Sequence, residues 1–378
     1  MSGNRLRILE VNKAYYPHTG GIETVIRQYS EELGKVCPAA EVKVLVCRDG
    51  RGKGSREKLN GVDVTRAASM GTYFSCPLSL DFIRKFRKMA KKADVVHIHV
   101  PFPLADVALL LSGFKGRVVV SWHSDVVKQK KLLMFYKPFM KSLLKRADRI
   151  LVATEGHIEG SAYLKDYREK CRVLPYGIVP GAYLRVPEGN VLSELCNDKD
   201  SVKLLFTGRL VYYKGVDVLL RAMKETSGCE LFISGEGELE ECLREYVREN
   251  GLEDRVHFMG FLPQTALRQA FRECDVFILP SVERSEAFGI VQIEAMVYGK
   301  PVINTALPSG VPYVSLDGVT GLTVPPSDSD SLAEAINTLV GDKELRETMG
   351  RAAAERVKTE FSEINVIKKL CGILSGEQ

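Results

Sequence analysis

Short apolar runs rich in Val, Ile and Leu alternate along this chain with segments of helical period, and the whole alternation occurs twice. In the first half "RILEVN" leads to the helical pattern "IETVIRQYSEELG", and "EVKVLVC" leads to "LDFIRKFRKMAKKA". "DVVHIHV", "RVVVSWH", "DRILVAT" and "CRVLPYG" follow as strands, separated by the helical "PLADVALLLSG", "KLLMFYKPFMKSLLKRA" and "HIEGSAYLKDY". Residues 178–200 lose the period and collect Pro, Gly and Asn, as a linker does. The pattern then restarts with the strands "VKLLFTGRL", "CELFISGEG", "VHFMG", "DVFILP", "PVINT" and "GLTVPP", interleaved with helices, and closes on one helix over about 343–375. Strands alternating with helices predict parallel βαβ units. The expected fold is therefore α/β, two facing doubly wound domains with a cleft between. Ligands in such sheets bind at the carboxyl ends of the strands.

The length of 378 residues fits two domains, and 45% hydrophobic with 27% charged residues is an ordinary globular balance. The start, "NRLRILEVN", holds too short an apolar run for a secretory signal. No run reaches the roughly 20 apolar residues of a membrane span. Nine scattered cysteines with no CxxC pair predict reduced packing residues and no zinc site. The net charge of +5 is unevenly spread: residues 1–180 carry 32 Lys and Arg against 17 Asp and Glu, and the remainder 21 against 31. Such asymmetry supports two domains and points to an anionic partner for the first.

Five places along this pattern carry chemistry. "YYPHTGG" follows the first strand and precedes a helix; its paired glycines, Gly20 and Gly21, let backbone approach an anion at a helix N-terminus. "SWHSD" puts His123 at a strand end. His97 and His99 share one side of "VVHIHV", where structural roles are expected. "TGRLVYYKG" places Arg209 and Lys214 just past a strand, a planar fork and a point charge suited to a diphosphate. In "SVERSEAFGIVQIEAMVYG" two carboxylates, Glu286 and Glu294, stand eight residues apart in a segment that otherwise reads as buried. Charge there is costly unless something binds it. An unbroken helix would separate them by about 12 Å, roughly the span from hexose to ribose in a nucleotide sugar. The backbone of Phe288, Gly289 and Ile290 supplies N–H donors between them. "SGEGELEE" lacks the third glycine of a dinucleotide fingerprint, and Glu236 and Glu238 would repel a pyrophosphate, so it reads as a turn or wall.

With Glu286, Gly289, Glu294, Ala295, Gly299, Pro301 and Val302, this stretch resembles the E-x7-E motif of family 4 of the retaining glycosyltransferases. "PHTGGIE", "DVVHIHV", "FTGRLVYYKGVDVLLRA", "ISGEGE" and "VHFMGFLP" resemble the family's other blocks in the right order, over nearly the whole chain. The resemblance implies the two-domain GT-B architecture with a C-terminal crossover helix. Residues 1–180 would bind the acceptor, with the helix at about 358–378 packing back on them, and residues 181–357 would bind the nucleotide sugar. It further implies that Gly21 sets backbone against the donor phosphates and that Arg209 and Lys214 neutralise the diphosphate. Glu286 would hold sugar hydroxyls, Phe288 to Ile290 would lie along sugar and phosphate, Glu294 would hold the ribose, and His123 would lie near the sugar. The base would stack near Phe261 and Leu262. The family is metal-independent and needs no cofactor beyond its donor co-substrate. The role of Asp125, two residues after His123, stays open.

The expected activity is transfer of a hexosyl unit from GDP-mannose or a UDP-hexose to a hydroxyl of a glycan or polyprenyl-diphosphate-linked acceptor. The new bond is α, in synthesis of O-antigen or another cell-surface glycan. The alternatives are a nucleotide-sugar epimerase on the same fold and a non-catalytic sugar-nucleotide or membrane-binding protein. No nucleic-acid partner is expected. Residues 80–92 and 128–148 are basic amphipathic patterns, with six and seven Lys and Arg against one Asp each. They suggest a cytoplasmic protein resting peripherally on the anionic inner face of the cell membrane.

Overall fold

The computed structural model describes residues 5–18, 21–73, 76–123, 130–187 and 189–377; the side chains of 21 and 130–135 lie outside the description, as do the expected site residue Gly20, Asp125 and residues 128–129. It divides into two compact units, Met1–Tyr176 with Ile364–Gln378, and Gly177–Glu363.

The first unit runs β1 (Leu6–Val11), α1 (Gly21–Val36), β2 (Ala40–Cys47), β3 (Ser55–Leu59), β4 (Val62–Ala67), α2 (Leu80–Ala90), β5 (Val95–Val100) and α3 (Pro103–Ser112). It continues with β6 (Arg117–Trp122), α4 (Lys130–Arg146), β7 (Arg149–Val152), α5 (Glu155–Gly160) and β8 (Cys171–Val173). The strands lie in the order β8-β7-β6-β5-β1-β2-β4-β3. Every neighbouring pair is parallel except the last. That antiparallel edge is not among the elements expected from the alternation. Its signal is the two-residue turn Asn60-Gly61, with φ 46° and 86°, the left-handed pair that closes a tight hairpin. Helix α2 begins where Ser79 Oγ accepts the Phe82 N–H at 2.9 Å. It buries Phe82, Phe86 and Ala90 at four-residue spacing and leaves Arg84, Arg87 and Lys88 exposed, so its apolar side faces the core.

The second unit runs α6 (Pro180–Leu184), β9 (Val202–Thr207), α7 (Val216–Met223), β10 (Cys229–Ser234), α8 (Glu240–Glu249), β11 (Val256–Gly260), α9 (Gln264–Glu273) and β12 (Val276–Leu279). It ends with α10 (Ile290–Val297), β13 (Val302–Thr305), α11 (Val311–Val314), β14 (Gly321–Val324), α12 (Ser329–Gly341) and α13 (Lys343–Glu360). Its sheet is wholly parallel, in the order β11-β10-β9-β12-β13-β14. Helices cover both faces, which is why its strands read as continuous apolar runs. Residues 178–200 are tied to this unit rather than free. Glu273 accepts the N–H groups of Val191 at 2.6 Å and Ser193 at 3.0 Å, and Glu230 accepts those of Asn197 at 3.0 Å and Asp198 at 2.7 Å.

Two expectations are corrected. The closing helix is two helices, α13 and α14 (Glu363–Ser375). The break falls at Phe361 and Ser362, where the backbone leaves the helix to pair with Ile178: Ile178 N–H donates to the Phe361 carbonyl at 2.8 Å, and Glu363 N–H to the Ile178 carbonyl at 2.7 Å. Past this point α14 packs Val366, Ile367, Leu370, Ile373 and Leu374 against Ile8, Tyr29, Leu33 and Val119 of the first unit. The cysteines are not all free either. Cys37, just past α1, is disulfide-bonded to Cys371 of α14. At a sequence separation of 334, their proximity comes from that packing and has no signature in sequence spacing.

Candidate functional site

The order of the second sheet reverses between β9 and β12, and the carboxyl ends of these neighbours carry the charged residues singled out above. Such a reversal opens a crevice that ligands use. Past β9 the chain passes Arg209 and makes a 3-10 turn, Tyr212–Lys214. Past β12 it runs from Ser281 to Glu286. The two segments meet: Lys214 Nζ lies 2.5 Å from Glu286 Oε2, with both side chains nearly buried at 11% and 12% exposure. Ser281 Oγ donates to the same carboxylate at 3.2 Å. Arg209 is exposed, and its guanidinium donates to the Tyr213 hydroxyl at 3.0 Å.

The glycines of "SGEGE" support this loop. A Cβ on Gly235 would stand 1.9 Å from the Gly208 carbonyl oxygen, so only glycine lets the two backbones touch. Gly208 N–H donates to the Ser234 carbonyl and Leu210 N–H to the Glu236 carbonyl, at 3.0 and 2.9 Å. The stretch read as a turn or wall is thus a buttress for Arg209.

Helix α10 starts only at Ile290, with Gly289 left-handed at φ 71° and no side chain capping it. The unbroken-helix spacing of about 12 Å therefore does not describe Glu286 and Glu294, because the chain between them turns before it coils. The uncapped first turn keeps N–H groups available, with a positive dipole end behind them. Phe288 is buried beside it. Glu294, half-buried, accepts the Tyr183 hydroxyl at 2.8 Å. Burial pushes its pKa up, against the downward pull of Tyr183 and Arg268. Arg268 stacks 4.6 Å over the Tyr183 ring, and Tyr298 Oη donates to the Tyr183 carbonyl at 2.5 Å. Phe261 is 72% exposed beside half-buried Leu262, a bare aromatic face just past β11.

In the first unit Gly21 is the first residue of α1. The strand register sets Glu10 opposite His97 and His99 opposite Ser121, so with His123 two residues on, all five share one face of the sheet. They are joined. Glu10 meets His97 Nδ1 and His99 Nε2, each at 3.0 Å; His97 Nε2 meets Ser121 Oγ at 2.8 Å; His99 Nδ1 meets His123 Nε2 at 2.9 Å; and His123 Nδ1 meets Tyr176 Oη at 3.1 Å. Tyr29 of α1 lies over His97 and His99, with ring centroids 6.3 and 6.1 Å away. Glu10, His97 and His99 also form the one group, among the described residues, whose ligand atoms lie within 4.8 Å of one another as a cation would need. Every ring nitrogen there is already hydrogen-bonded. Sequence reasoning missed Glu10, Ser281, Tyr176 and Tyr183. Only Glu10 had a signal, as the lone carboxylate inside the buried strand "RILEVN".

Known proteins resemble the chain in both units. Residues 19–181 match the model of Glycosyltransferase Family 4, and residues 193–356 that of Glycosyl transferases group 1. The D-rhamnosyltransferase WbpZ of Pseudomonas aeruginosa is 34% identical over 94% of this chain and 92% of its own. The O-antigen chain mannosyltransferase C of Escherichia coli is 32% identical over 96% of each.

The chain belongs to the family 4 glycosyltransferases.

Its fold is GT-B, shared with a glycosyltransferase from Rickettsia africae (TM-score 0.76, 17% identity, 99% of each chain). A second neighbour is Anabaena HepE in complex with UDP (TM-score 0.73, 19% identity, 98% of this chain and 100% of that one). In this glycosyltransferase the entry into α10 depends on Gly289. A Cβ there would lie 2.6 Å from Leu279 Cδ2 on a backbone at φ 71°. Gly289→Ala should therefore lower stability by about 1–2 kcal/mol from the left-handed backbone alone. Urea unfolding followed by circular dichroism checks this, and an unchanged midpoint would contradict the geometry.

Proposed function

We propose that this glycosyltransferase moves a hexosyl unit from a nucleotide diphosphate sugar to a hydroxyl of a glycan or lipid-linked saccharide, with retention, in building a cell-surface polysaccharide. The observation that carries the reading is the Lys214–Glu286 pair where the second sheet reverses, with Arg209 beside it and the uncapped start of α10 next in the chain. Cation, carboxylate and helix N-terminus are what a diphosphate joined to a polyol needs. Arg209 and Lys214 are assigned to the diphosphate, Glu286 to the sugar hydroxyls, Phe288 to Ile290 to the sugar and phosphates between. Glu294 takes the ribose diol and Phe261 with Leu262 the base. In the first unit Gly20, Gly21 and His123 keep the roles the family resemblance gives them, at the phosphates and near the sugar. GDP-mannose and UDP-hexoses are both candidate donors. A thermal-shift screen with UDP, GDP and ADP separates them, since a ligand of the folded state raises its melting temperature.

In the proposed reaction the bond from the anomeric carbon to the phosphate oxygen breaks. A bond to the acceptor oxygen forms on the same face, and the acceptor proton passes to the departing phosphate. No enzyme nucleophile is required. Charge grows on the leaving diphosphate toward the transition state, so cations fixed in advance act mostly there. Arg209→Ala and Lys214→Ala should each raise the barrier by roughly 2–4 kcal/mol, read as a fall in kcat larger than any rise in KM. Activity should persist with a chelator present. A strict Mg²⁺ requirement would contradict the assignment of the charge to these two side chains.

We also propose that the first unit rests on an anionic membrane. Among the described residues no helix is long and apolar enough to cross one. Helix α3 lies against both α2 and α4 and exposes Leu110 and Leu111 at 56% and 57%. Around it Arg84, Arg87 and Lys88 of α2 and Lys137, Lys141 and Lys145 of α4 are exposed, as is Phe139. Each such cation near an anionic surface contributes on the order of 1 kcal/mol, screened by salt. Co-sedimentation should occur with anionic vesicles at low salt and fall at high salt. Equal partitioning to neutral vesicles, or none to either, would remove the membrane claim.

A further inference from the structure

The hydrogen-bonded array behind His123 has a proton order that follows from its geometry. Glu10 is fully buried and accepts from two imidazoles, His97 Nδ1 and His99 Nε2. A carboxylate only accepts, so both rings must turn an N–H toward it. A neutral His99 with its proton on Nε2 leaves Nδ1 bare. That bare nitrogen stands 2.9 Å from His123 Nε2, so His123 must carry its own proton there. His123 Nδ1 is then the acceptor, and the Tyr176 hydroxyl 3.1 Å away donates to it. His97 closes the other arm on Ser121, whose hydroxyl can donate or accept.

We propose that Glu10 is a positioning residue for His123: acting through His99, it fixes the His123 proton on Nε2 and turns that N–H into the protein. His123 then exchanges no proton with the reacting groups and serves the sugar as an oriented neutral ring. The proposal rests on the reading of His123 as a residue near the sugar.

The electrostatics agree with this order. Burial opposes ionisation of Glu10, but attraction to His97 and the hydrogen bonds from His97 and His99 outweigh it and hold its pKa at about 2. Burial, then His97, push His99 down to about 4 against the pull of Glu10. Burial, then His99, His97 and His157, hold His123 well below its ordinary value. With Tyr29 over His97 and His99, Tyr176 stacked on His123 and buried Tyr15 near Glu10, these are the titratable groups that face the array among the described residues.

The test is nitrogen-15 NMR of the whole chain labelled at histidine, at neutral pH, with His123→Ala and His99→Asn to assign signals. The expected wild-type pattern is a single tautomer, protonated on Nε2, for both His99 and His123. Glu10→Ala should release His123 to a mixture of tautomers. It should lower donor-dependent nucleotide release on the order of tenfold to a hundredfold by misorienting the ring, with nucleoside diphosphate affinity unchanged. Glu10→Gln should restore both, because its oxygen still accepts from His99 while Ser121 lets His97 adapt to the amide. A structural role alone would move stability without this split and rescue. A wild-type His123 protonated on Nδ1, or as imidazolium, overturns the proposal even if Glu10→Ala fails to fold. So does a stoichiometric metal ion in the purified protein, or a folded Glu10→Ala with wild-type tautomer and rate. An unchanged rate in His123→Ala would instead overturn the reading of His123, and the positioning role with it, while the tautomer stood.

Discussion

A carboxylate drawn into the protein must be compensated, and the arrangement of this glycosyltransferase depends on how each one is. Glu10 is compensated permanently: two imidazoles donate to it and water is excluded. Glu286 is compensated by one ammonium and the Ser281 hydroxyl at the rim of its sheet, and Glu294 by the Tyr183 phenol. A carboxylate has lone pairs for about four hydrogen bonds. Glu10 is enclosed, while Glu286 and Glu294 keep capacity that sugar and ribose hydroxyls would use. The same chemistry thus makes a rigid frame in the first unit and a receptive one in the second.

Backbone geometry delivers those groups. Reversal of strand order between β9 and β12 leaves their two loops side by side without a crossing helix in the way. The loops then need close backbone approach, which Gly215 permits against Pro280, and a sharp entry into α10, which Gly289 permits at φ 71°; past β10, Gly235 lets a third loop lie against Gly208. In the first unit the parallel register does the corresponding work. Side chains of β1, β5 and β6 alternate in step, so Glu10, His97, His99, Ser121 and His123 share one face.

What was legible in the sequence follows the same physics. Periodicity showed the strands and helices of both units, because a strand buried on two faces must be apolar throughout. Charged residues just past such strands marked Arg209, Lys214 and Glu286, and a carboxylate inside an apolar helix marked Glu294. The hairpin at Asn60-Gly61 was written in the turn residues but hidden by the stronger βαβ rhythm around it. The division between α13 and α14 was not legible, because Ser362 and its neighbours show neither proline nor glycine; the break exists for a tertiary pairing with Ile178. Tyr183 and Tyr176 could not be found by pattern, as tyrosine suits a core as well as a site. The Cys37–Cys371 bond likewise joins partners that only folding makes neighbours.

The central claim is that Glu294 holds the ribose of a nucleotide donor. Isothermal titration of the nucleoside diphosphate selected by the thermal-shift screen tests it most directly, on wild type, Glu294→Gln and Glu294→Ala. The account predicts weaker binding for Glu294→Ala and a smaller loss for Glu294→Gln, whose amide oxygen still accepts a hydroxyl hydrogen. An unchanged affinity in Glu294→Ala would contradict it.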